Sequence, residues 1–143
     1  MATAMASSKS VVEMVTASKF RASGYSGAKA VFHVPEEGEA PEGPSPFESV
    51  VLAAGGCTAF DVLDILQKKR ERVDSFRIEL ESERAKDPPR VLLKLHMTYV
   101  LRGPQKEENV RRAIELSQEK YCSVSIMLKR SGCELTTSYR LES

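Results

Sequence analysis

Two cysteines carry most of the chemical options in this sequence. Cys57 sits in LAAGGCTAFD and Cys122 in KYCSVSIML. A thiolate can attack the O–O bond of a peroxide and become a sulfenic acid. A second thiol condenses with it to a disulfide and so guards it from further oxidation. The bland alternative fits the same residues: free cysteine is commonly buried as a small hydrophobe. Other chemistries lack their patterns. There is no CxxC or HxxxH spacing for zinc, no GxGxxG or phosphate loop, and no GxSxG elbow. His33 and His96 both fall in predicted strands, out of helical reach of a cysteine, so a Cys–His nucleophile pair is the weaker option.

The elements that position these cysteines follow from the pattern. Val11–Phe20 and Ala28–Val34 read as strands around the turn RASGYSG. PEEGEAPEGPSP, rich in proline and glycine, is a surface loop placed where it could lie over a site. Ser45-Pro46-Phe47-Glu48 is a helix start, with Ser45 as N-cap, Pro46 in the first turn and Glu48 reaching back. From Val50 to Leu66 nearly every residue is apolar or small, which is the pattern of a helix buried on all sides. A chain this short has little material to surround such a helix, which favours a dimer. Gly55-Gly56 interrupts the run: the glycines allow another backbone or a ligand to approach closely, and a local break of the helix at them would leave Cys57 near a fresh N-terminus. There, free N–H groups would stabilise a thiolate.

Val73–Ala85 and Val91–Arg102 read as strands joined by the turn KDPPR. Glu107–Lys120 reads as a helix, Cys122–Lys129 as a second short one, and Cys133–Leu141 as a last strand. Helices among hairpins without a βαβ pattern make an α+β fold. Asp61 and Asp64 share the helical face of Cys57. A carboxylate there raises a thiol pKa unless it pairs with a cation, points into an interface or joins a charge network at the site.

The 143 residues are expected to form one domain, with residues 1–9 as a flexible tail. The charged content of 29% and the net charge of +1 argue against a membrane protein and against a nucleic-acid binder. The basic run Lys68-Lys69-Arg70 with Arg72 is broken by Glu71 and reads as a solvated helix end. MATAMASSKSVVEM contains no signal-like apolar run, and the three cysteines make an odd count, so the expected location is cytoplasmic.

SPFESVVLAAGGCTAFDVLDIL and LSQEKYCSVSIML together resemble the two cysteine motifs of the OsmC/Ohr family of organic-hydroperoxide-reducing proteins. Pro46, Cys57 and Cys122 match its helix-opening proline and its two cysteines. SERAKDPPR is similar to the OsmC-like branch. The resemblance implies antiparallel sheets around a long buried central helix in an intertwined homodimer, with two sites at the subunit interface. It implies Cys57 as the attacking cysteine and Cys122 as the resolving one, in a thiol-dependent peroxidase that turns organic hydroperoxides into alcohols. No bound cofactor or metal is expected. The reductant would be an external dithiol, dihydrolipoyl groups in the Ohr branch.

Two positions depart from the Ohr pattern. The Ohr glutamate follows the proline directly, whereas here Glu48 comes one residue later. On an unbroken helix that puts it about 180° from Cys57. Arg21, the sole arginine before the helix, is the candidate thiolate partner, with Arg84 and Arg90 as others. The competing reading is a non-catalytic module on the same fold that binds a small ligand or partner and keeps its cysteines as packing.

Overall fold

The computed structural model describes residues 7–143. Most of the expected N-terminal tail, residues 1–6, lies outside the described residues. The described chain separates into two compact units, one up to Ser49 and one spanning Val50–Ser143.

The first unit is an antiparallel meander of β1 (Val11–Thr16), β2 (Lys19–Ser23) and β3 (Lys29–His33). The run expected as one strand, Val11–Phe20, is therefore a tight hairpin. The register shifts between Met14 and Thr16, and Thr16 faces Lys19. Val12, Met14 and Phe20 remain exposed on this small sheet. The proline-rich loop after β3 is tied back to it. His33 is buried and its Nε2 meets Glu39 Oε2 at 2.8 Å, while the Glu42 N–H donates to Nδ1 at 2.9 Å. Gly43 passes so close to the Val31 carbonyl that no side chain fits there.

The second unit holds the core. Helix α1 (Pro46–Lys68) leads into it. Its start is the expected capping box: Glu48 N–H donates to Ser45 Oγ, and Ser45 N–H donates to Glu48 Oε1, both at 3.2 Å. Of the two readings of Gly55-Gly56, the local break is not found, and α1 runs through them. Gly55 serves close approach instead, since a Cβ there would lie 2.8 Å from Leu80 Cδ1. Val51, Ala54, Gly55, Thr58, Val62 and Leu66 form the buried stripe. The described residues leave the opposite face uncovered: Phe60 is 79% exposed and Leu52 51%. Within one chain the helix is thus buried on one side, as expected of a chain too short to surround it. By length and composition alone this helix would also suit a membrane span. Here its stripe packs on a sheet through Gly55 against Leu80 and Thr58 against Tyr99.

That sheet has the order β4-β5-β6, from β4 (Ser75–Arg84), β5 (Leu92–Arg102) and β6 (Glu134–Glu142). β4 and β5 pair antiparallel, but β6 joins β5 in parallel, so the sheet is mixed rather than antiparallel throughout. Leu95, Met97, Tyr99 and Leu101 of β5 are fully buried, on the face expected from their alternation. Between β5 and β6 run α2 (Glu107–Leu116) and α3 (Ser123–Arg130). A single π turn, Ser117–Tyr121, replaces the expected α-helical extension of α2 to Lys120. It aims both Ser117 and Gln118 inward, which ordinary α-helical rotation of about 100° per residue makes harder for neighbours.

Candidate active site

The two cysteines reach one place from separate elements. Cys57 lies in the middle of α1 and is half-buried; Cys122 is fully buried at the N-cap of α3. The sulfurs of Cys57 and Cys122 and a carboxylate oxygen of Asp61 all lie within 4.8 Å of one another. Because α1 is unbroken, it offers Cys57 no N-terminus of its own; the helix start near its sulfur is that of α3, at Cys122. Cys122 does sit at a helix start. The Ser125 N–H donates to its sulfur at 3.4 Å, and its thiol donates to Ser125 Oγ at 3.1 Å. Burial pushes the Cys122 thiol up from its ordinary pKa, more than these contacts with Ser125 lower it.

A chain of buried hydroxyls runs beneath the pair. Ser117 donates its only proton to Asp61 Oδ2 at 3.1 Å. Its 2.7 Å contact with Thr58 must then be donated by Thr58, and the 2.7 Å contact between Thr58 and Tyr99 by Tyr99. The Gln118 amide N–H groups reach Thr58 Oγ1 and Tyr99 Oη at 3.1 Å and Ser125 Oγ at 3.3 Å, joining the chain to the partner of Cys122. Lys129 Nζ fastens the π turn by donating to the Gln118 carbonyl at 2.6 Å. Gln118 Oε1 is buried without a partner among the described residues.

Burial pushes the Tyr99 phenol up to about 12. An unfolded tyrosine loses its proton near pH 10. The stability gained by keeping Tyr99 neutral is therefore complete below about pH 10 and is lost as pH rises towards about 12. Two pKa units correspond to roughly 2–3 kcal/mol. Urea unfolding at about pH 9 and about pH 11.5 should show a loss of that order in the parent protein and a flatter decline in Tyr99→Phe.

The remaining candidates have contacts of their own. Glu48 is exposed and its carboxylate caps α1. Arg21 is exposed on β2, opposite Glu13 and Val31 in the first unit, with neither cysteine in that unit. Arg84 Nε donates to the Arg90 carbonyl at 2.9 Å. Asp64 pairs with Lys68 at 2.8 Å, so of the two aspartates Asp61 alone faces the cysteines. Cys133 is buried at the start of β6, and burial pushes its thiol up as well. His96 Nδ1 and Nε2 meet Thr136 and Ser138 at 2.6 and 2.9 Å, so both histidines are satisfied locally. Sequence reasoning missed Thr58, Tyr99, Ser117, Gln118 and Ser125, and it left Asp61 undecided.

Two hollows open along α1, and neither is lined by a cysteine. An apolar hollow of about 390 Å³ is lined by Gly56, Ala59, Phe60, Leu63 and Phe76. A second, of about 440 Å³, is lined by Asp61, Asp64, Lys68, Leu116 and Tyr121.

Similar proteins share this arrangement of elements. Residues 37–138 match the family model described as OsmC-like protein. Protein YhfA of Escherichia coli K12 is 43% identical over 99 residues, which cover 68% of this chain and 73% of that one. The crystal structure of a hypothetical protein from Aquifex aeolicus superposes with a TM-score of 0.81 at 27% identity, covering 97% of this chain and all of the other. An organic hydroperoxide resistance protein OsmC from Legionella pneumophila superposes at 0.65 with 12% identity, covering 96% and 98%; that likeness is one of fold. The sequence match over most of the chain and the shared α+β architecture place this chain in the family of OsmC-like proteins.

Proposed function

We propose that the protein is a thiol-dependent peroxidase for organic hydroperoxides. The observation that carries this reading is the meeting of Cys57 and Cys122, distant in sequence, at sulfur positions within 4.8 Å. A disulfide needs about 2 Å between sulfurs, so a modest side-chain rotation closes the gap. The Cys57 thiolate attacks the distal peroxide oxygen. The O–O bond breaks, the alcohol leaves after taking a proton, and Cys57 becomes a sulfenic acid. The Cys122 sulfur then displaces water from it, forming the Cys57–Cys122 disulfide. An external dithiol, such as a dihydrolipoyl group, reduces that bond and is itself oxidised.

Asp61 suits the proton transfers. It lies one turn from Cys57 and is held by Ser117. Glu48, spent on the cap, is not needed for them. The apolar hollow lined by Gly56, the residue before Cys57 in the chain, and by Ala59, Phe60 and Phe76 suits an alkyl or aryl group. Burying about 60 Å² of such a group is worth about 1.5 kcal/mol, or about tenfold. With dihydrolipoate as reductant, kcat/KM for cumene hydroperoxide should exceed that for hydrogen peroxide by at least about tenfold. No turnover of either peroxide with any dithiol would remove the reading.

The assembly we propose is a homodimer in the cytoplasm, with no nucleic-acid or membrane partner. The uncovered α1 face at Leu52 and Phe60 and the exposed apolar side chains of β1 and β2 support it. Light scattering should give twice the chain mass of 15.8 kDa; a monomer at micromolar concentration would contradict it. A second reading is a non-catalytic binding module, favoured by the complete burial of Cys122 and its raised pKa. It predicts thiols inert to hydroperoxide.

A further inference from the structure

The meeting of Cys57, Cys122 and Asp61 also has the composition of a metal site. We propose that the reduced protein binds one zinc ion per chain through the two cysteine sulfurs and one Asp61 oxygen. The sequence offers no local zinc spacing, because two ligands come from α1 and one from the N-cap of α3.

Geometry, donor type and surroundings agree. The three ligand atoms lie within 4.8 Å of one another. Around a tetrahedral zinc with Zn–S of about 2.3 Å, sulfurs stand about 3.8 Å apart, so shifts of an ångström or less complete the set. Thiolate sulfur and carboxylate oxygen are both zinc ligands, and the two thiolates favour zinc over the hard divalent ions. Outer contacts already hold the ligands. Ser117 donates to Asp61 Oδ2 and so holds the carboxylate, and the Ser125 N–H points at the Cys122 sulfur. Asp61 also lines the hollow of about 440 Å³ with Asp64, Lys68 and Tyr121, a path for a hydrated cation. Cys57 is half-buried, so a fourth position stays open to water.

On binding, each thiol gives its proton to solvent and two sulfur–zinc bonds form, with no change of oxidation state. Zinc and the Cys57–Cys122 disulfide exclude each other. The ion would protect the dithiol, and oxidation of the dithiol would release the ion.

The site is independent of peroxide chemistry and is tested without peroxide. Cobalt(II), then zinc, is titrated into the reduced protein under anaerobic conditions while the thiolate-to-cobalt charge-transfer band is followed. The expected result is one cobalt per chain with tetrahedral ligand-field bands, displaced by one zinc. Cys133→Ser should match the parent. Cys57→Ser should lose most of the band, and Asp61→Asn should keep it but bind at least about tenfold more weakly. No charge-transfer band in the parent overturns the site. So does a band that survives in the Cys57→Ser/Cys122→Ser double variant. Neither result bears on hydroperoxide turnover, which is read separately.

Discussion

Cys57→Ser is expected to lose hydroperoxide turnover down to the uncatalysed background, a fall of at least about a thousandfold in kcat/KM. Serine keeps the shape of the side chain but lacks the polarisable, readily ionised sulfur. Cys122→Ser should behave differently. Its Cys57 still reacts with the first equivalent of peroxide, but nothing condenses with the sulfenic acid. Cys57 then accumulates as sulfenic and sulfinic acid, and steady-state turnover collapses after one cycle. Mass spectrometry of the two variants after one equivalent of cumene hydroperoxide separates the roles. Equal oxidation of Cys122 in Cys57→Ser would reverse the assignment. The half-exposure of Cys57 and the complete burial of Cys122 argue for Cys57 as the sulfur that meets peroxide first.

The second large effect concerns Thr58. Its hydroxyl accepts from Tyr99 and from the Gln118 amide and donates to Ser117. Thr58→Val keeps the volume and leaves those buried groups short of partners. A buried polar group without its partner costs about 1–3 kcal/mol. With two or more affected, the loss should be about 3 kcal/mol, lowering Tm by about 10 °C. Thermal unfolding by circular dichroism reads it directly. A change below about 2 °C would mean that the hydroxyl chain is not held together by Thr58. The same variant frees Ser117 from its donor, so the orientation of Asp61 and the rate of the peroxide step should weaken with it.

The legibility of this protein in its sequence divides along physical lines. Local signals were readable. The Ser45–Glu48 cap, the α1 run, the β5 alternation and the helix start at Cys122 all appear where the pattern puts them. The β1–β2 hairpin was not readable, because Ala17-Ser18 carries no glycine or proline to mark the turn. Gly55-Gly56 stayed ambiguous for the opposite reason: glycine signals both a break and a close approach, and only the position of Leu80 decides between them. The parallel entry of β6 depends on how α2, the π turn and α3 return the chain, which strand periodicity does not encode.

The site followed the same rule. The cysteine pair was visible through its family resemblance. The hydroxyl chain was not, because Thr58, Tyr99, Ser117 and Gln118 come from three elements and each looks ordinary in its own segment. Asp61 and Asp64 share one helical face in projection. Only the packed structure shows that one meets the sulfurs while the other pairs with Lys68.

The central claim is that Cys57 and Cys122 form one redox pair. Its most direct test is rapid quenching of the reduced protein after one equivalent of cumene hydroperoxide, followed by mapping of unreduced peptides. The expected product is a Cys57–Cys122 disulfide formed within one turnover, with Cys133 still free. All three thiols remaining alkylatable after unfolding, or a disulfide that includes Cys133, would contradict it.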